Sequence, residues 1–224
     1  MRDLLATGLL AAQVCFLTQM IVKVRRARSS AGVSLAGEAF WMVAGAGWVA
    51  FSIAVGDVLV AISGALAAGG SGLLFGQSSV YSDGREPRNA LVQATVVAAG
   101  FAISWAVAGA DGLGAALAVF GAVQFVPHAL TSLRMWARDL PADGLSIPAT
   151  VLRALYTSAW AAYATGPALW GEGVFSLPLF AWGLSGAVAF SLQAAAGVRS
   201  NRLHRPEVTR PDQSATETVE PRIP

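Results

Sequence analysis

Cysteine is almost missing from these 224 residues, and charge is scarce. Cys15 stands alone, which excludes an intramolecular disulfide and any cysteine-based metal cluster. The two histidines, His128 and His204, have no nucleophile at motif spacing, and no metal-ligand set is legible. The expectation is therefore a protein that is not an enzyme and that carries no cofactor and no metal. A glycine run at Gly64, Gly69, Gly70, Gly72 and Gly76 lies in an apolar stretch and lacks the Lys-Ser/Thr that closes a phosphate loop. It suits close helix packing instead.

What fills the chain is hydrophobic: 55% of the residues against 12% charged. The apolar residues fall in long runs near 4–22, 36–55, 58–76, 90–109, 113–133, 149–168 and 174–197. Each run approaches the roughly 20 residues that cross a hydrocarbon core. The expected fold class is an all-α integral membrane protein with seven transmembrane helices in a lipid bilayer. The cations explain the basic pI without invoking nucleic acid, because they are sorted by loop. Lys23, Arg25, Arg26 and Arg28 follow the first run, Arg85 and Arg88 the third, Arg134 and Arg138 the fifth, and Arg199, Arg202 and Arg205 the seventh. The alternate loops carry Asp57, Asp111 and Glu172. By the positive-inside rule the N-terminus is outside and the C-terminus cytoplasmic, in a multi-pass protein of the cell membrane. The first run lacks the flanks of a cleaved signal peptide and is expected to remain as a span. Residues 199–224 turn polar and proline-rich and are expected to form a disordered cytoplasmic tail.

The chain also repeats itself. Gly32-Val33-Ser34-Leu35 recurs as Gly144-Leu145-Ser146-Ile147, and Trp48 recurs as Trp160, both 112 positions on. Two copies of three spans would face opposite ways across the membrane, so an extra crossing between them is needed to make them parallel. The expected organisation is 3+1+3: residues 1–80 as the first three-helix repeat, 81–111 as a linker helix, and 112–198 as the second repeat.

Within each copy, a degenerate Pro-Gln pair stands near the end of the first helix: Phe16-Leu17-Thr18-Gln19, then Phe125-Val126-Pro127-His128. Gln19 keeps one half of the pair and Pro127 the other, with His128 where glutamine would stand. Downstream come a cationic loop, the Gly-x-Ser tetrad, and Trp48-x-x-Phe51 with Asp57 nine residues after the Trp, echoed by Trp160-x-x-Tyr163. This constellation resembles the SWEET and PQ-loop repeat transporters, including the bacterial SemiSWEETs. The resemblance implies alternating-access transport of a small neutral solute, possible homo-oligomerisation, and a site built on Trp48, Trp160, Phe51 and Tyr163. Sugar-carrying members follow that segment with an asparagine in the third helix. The matching position here is Gly64, and in the second copy it falls near Phe180, so the polar half of a sugar site is missing. A carrier of amino acids or another metabolite, and a non-transporting PQ-loop receptor, stand as the alternatives.

Helical spacing places Glu38, Trp41, Trp48 and Phe51 on one face of the second span, and Thr150, Arg153, Tyr156, Trp160 and Tyr163 on one face of the sixth. Charges at that depth cost a few kcal/mol unless they face a cavity or a partner. A contact between Glu38 and Arg153 is expected as a cytoplasmic gate. The alternative is that Arg153 snorkels to the headgroups while Glu38 stays interfacial.

Overall fold

The computed structural model describes residues 2–165 and 177–204. All regular structure among them is helical: α1 (Arg2–Ala27), α2 (Leu35–Val55), α3 (Val58–Ser79), α4 (Arg85–Val123), α5 (Val126–Arg138), α6 (Ile147–Ala164) and α7 (Leu177–Leu203). Five stretches of these helices are long and apolar enough to cross a membrane. Their outward faces carry Ile53, Val58, Leu73, Val96, Val107 and Val119, each more than half exposed. Apolar side chains in such number on the outside suit lipid better than water.

The two tetrads turn out to be helix starts. Ser34 and Ser146 adopt nearly the same extended backbone, φ/ψ −86/99 and −89/102, and their hydroxyls accept from the backbone N–H of Gly37 and Ala149. Each thereby satisfies one of the orphan donors of a helix N-terminus. Even the turns before them match, Val33 N–H donating to Ser30 O and Leu145 N–H to Ala142 O. The two turns meet, with Gly144 N–H donating to Ala31 O at 3.0 Å. Gly32 takes φ +87°, a conformation that favours glycine.

At the far end of α2, Gly56 closes the helix in the left-handed conformation and Asp57 caps α3 through Val60 N–H. The long α4 is two arms. Its backbone breaks at Ala108 and Gly109, where Gly109 has φ +59°. Phe101 and Phe120 then lie 5.5 Å apart between ring centroids, where a straight helix would separate them by about 28 Å. The chain folds back, and Gly112 comes against the Ser104 carbonyl so closely that a Cβ would collide with it. Asp111, expected in a loop, begins the second arm. That arm runs to Val123 and continues after two residues as α5, interrupted just before Pro127, whose ring and missing N–H cannot continue a straight helix. α1 has no proline in the corresponding turn, where Thr18 and Gln19 stand, and runs unbroken.

Packing repeats as well. α3 lies against both α1 and α2, and α7 lies against both α5 and α6. The copies meet through α1 with α6 and α2 with α5, while the first arm of α4 covers α2 through Ala90 and Ala94. At one end of the bundle the Ser30 hydroxyl donates to Tyr81 O, Gly144 to Ala31 O, and the Ser200 hydroxyl to Leu140 O. The arginines in the last turns of α1, α5 and α7 and at the start of α4 stand beside these turns. α7 stays helical through Leu203, beyond the expected limit at 198, and residues 205–224 lie outside the described residues.

Candidate functional site

The most buried charges in the molecule define one end of the site. Arg153 in α6 and Glu38 in α2 are fully buried and form a fork: Nη1 donates to Oε1 at 2.6 Å and Nη2 to Oε2 at 3.2 Å. Two parallel charge-assisted hydrogen bonds of this kind combine strength with orientation. The guanidinium is also stacked, 3.7 Å from the Trp41 ring centroid and 4.4 Å from that of Phe190. On the carboxylate side, Ser71 lies against Glu38 and the His128 Nε2 stands 3.9 Å from its Oε1. His128 is fully buried, and Gly37 leaves room for its ring: a Cβ there would strike the imidazole.

Above this layer is a cavity lined by Trp41, Ala44, Gly45 and Trp48 of α2, Val60, Ser63, Gly64 and Ala67 of α3, Gln124 before α5, Tyr156 and Trp160 of α6, and Leu179 and Trp182 of α7. Its open space, about 40 Å³, holds a few water molecules. The lining is twofold. Ala44 and Trp48 of α2 have Tyr156 and Trp160 of α6 at the 112-residue spacing. In the third helices the matching residues are Val60 with Leu179, Ser63 with Trp182 and Gly64 with Gly183. Gly64 touches α2 at Gly45 O, 2.8 Å from an added Cβ, and Gly183 touches α6 at Thr157 O, 2.6 Å from one. The counterpart of Gly64 is therefore Gly183, not a position near Phe180: the register slips by seven residues between the second and third helices.

A network ties the copies together at the cavity wall. Gln13 Nε2 donates to Ser63 O at 3.0 Å, and its Oε1 accepts from the Ser63 hydroxyl at 2.9 Å and the Tyr156 hydroxyl at 3.0 Å. In contrast, both side-chain atoms of fully buried Gln124, and the Trp41 indole N–H, have no protein partner. Gln13 and Gln193 link helices, Gln193 by donating to Gly32 O, whereas Gln93 points outward.

Of the residues expected to bind solute, Trp48, Trp160 and Gly64 line the cavity. Phe51 does not. It turns outward onto the α4 hairpin, where Gly114 has no side chain to block it, and packs edge-on against Trp48. Tyr163 also sits outside the lining, edge-on to Trp160 at 5.2 Å. Gln19 is exposed, its amide bonded to Cys15 Sγ, so it is not the counterpart of buried His128. Burial aligns His128 with Met20, one residue further, just as Leu117 and Phe125 align with Leu9 and Leu17. Pro127 stands in the first turn of α5. Sequence reasoning passed over Gln124 altogether, although a lone amide in an apolar segment beside a helix-breaking proline marks a polar group that needs a use.

No protein-family model, curated protein or solved structure matches this chain.

Proposed function

We propose that the chain is a SWEET-like transporter of a small neutral solute that works by alternating access. In this reading seven crossings are arranged 3+1+3, with the first arm of α4 as the linker span, the second arm together with α5 as the fifth span, and the cationic end in the cytoplasm of the cell. One observation carries the proposal: a cavity lined by matching faces of two copies shares Trp41 with the buried Glu38–Arg153 fork, whose guanidinium stacks on that ring. Ionisable groups inside a membrane span are costly and belong where a pathway or a partner needs them. A cavity at the interface of parallel repeats is where carriers bind their cargo. The lining bears no charge, which favours neutral cargo, and its small volume favours a compact one.

The test is uptake into proteoliposomes, with radiolabelled glucose and alanine as the first probes. Accelerated entry of either, lost in Trp48→Ala and Trp160→Ala, is the expected result. Entry no faster than into protein-free liposomes, for these and for the compact solutes used below, overturns the transport reading. An alanine-only result selects the metabolite carrier, which the glycine at position 64 already favours over a sugar carrier.

A further inference from the structure

The cavity holds more hydrogen-bonding capacity than the protein uses, and Gln124 supplies all the acceptor part of it. Gln124 is fully buried, lines the cavity, and neither its carbonyl oxygen nor its NH₂ has a protein partner. Trp41 Nε1–H, on the same wall, is also unpartnered. The Trp160 Nε1–H, also in the lining, is unpartnered as well, and the two hydroxyls there are committed: Ser63 and Tyr156 are engaged with Gln13 and with each other, their oxygens 2.8 Å apart. Buried amides left without partners are rare in folded proteins and call for an explanation.

Resting on the transport reading above, we infer that Gln124 is the polar recognition residue of the cavity and that its cargo is a compact neutral amide. A primary amide presents one acceptor and an NH₂ donor in a single plane, and the Gln124 side chain presents the complement. The two pair edge to edge, with the Trp41 N–H free for the remaining carbonyl lone pair. A polyol fits poorly. The rest of the lining, Ala44, Gly45, Val60, Ala67 and Leu179 among the tryptophans, would leave several hydroxyls buried without partners. The space of about 40 Å³ corresponds to about three waters, which matches a solute with few heavy atoms.

The full-length protein in liposomes is tested with acetamide and with glycerol by light-scattering swelling, and acetamide binding is followed separately by ligand-observed NMR in detergent. Acetamide should bind and enter faster than into protein-free vesicles, and glycerol should not. Gln124→Leu should weaken acetamide binding about tenfold or more, the size expected for losing paired hydrogen bonds, and Trp41→Phe should weaken it less. Gln124→Leu should also melt no lower than wild type, because it removes a buried amide that nothing in the protein satisfies, whereas Gln13→Leu should melt lower. Unchanged acetamide binding in Gln124→Leu, a lowered melting temperature for it, or equal acceleration of glycerol overturns the inference and leaves transport standing. Gln124-dependent binding without entry of any solute overturns transport and leaves the recognition residue standing.

Discussion

Arg153 holds in the second copy the position that Trp41 holds in the first, and the two side chains stack on each other. The guanidinium is thus fixed on one side by rings and on the other by Glu38. Removing one member of a buried pair strands the other and typically costs about 3 to 5 kcal/mol. Glu38→Leu alone and Arg153→Leu alone should therefore lower the melting temperature in detergent sharply, and the Glu38→Leu/Arg153→Leu double variant should regain most of the loss. Additive losses in a double-mutant cycle would show that the two charges are not coupled. Arg153→Lys should behave like a loss, since an ammonium cannot fork onto both carboxylate oxygens or stack flat on Trp41.

Among the helices, glycines decide how closely α3 and α7 approach their neighbours. A Cβ at Gly64 or Gly183 would press on backbone, at 2.8 Å from Gly45 O and 2.6 Å from Thr157 O respectively. Gly64→Ala and Gly183→Ala should each cost about 1 to 3 kcal/mol by overpacking. Gly69→Ala and Gly76→Ala, with no atom within 4 Å of the added carbon, should be neutral or gain roughly 0.5 to 1 kcal/mol. A thermal melt of the four variants separates the two classes. The same comparison marks what the sequence could reveal. The tetrads were legible because a serine cap works locally, and Glu38 and Arg153 were legible because two copies related by pseudo-symmetry must present equivalent faces to each other. The match of Gly64 with Gly183 was not, because it depends on the length of the connection between α6 and α7. The outward turn of Phe51 was hidden too, since it depends on the α4 hairpin folding back over α2, and no local pattern sets that contact.

At the scale of the whole molecule, the turns near Ser30, Tyr81 and Gly144 are joined at one end, the cationic one. In a Cys15→Ser background, cysteines introduced at Asp57 and at Ser82 should be labelled from opposite sides of the membrane, with residue 82 protected in intact cells. Labelling of both from one side would dismantle the proposed crossing order. The fork between the copies also bears on how such a chain could have arisen and whether it could be divided. Two first halves brought together would bury two carboxylates with no cation, and two second halves would bury two guanidiniums with no anion, each at a cost of several kcal/mol per ion. The duplicated halves have therefore become strangers to themselves, each a stable partner only for the other. With tryptophan at this position in one copy and arginine in the other, self-paired half-length units would require that position to change.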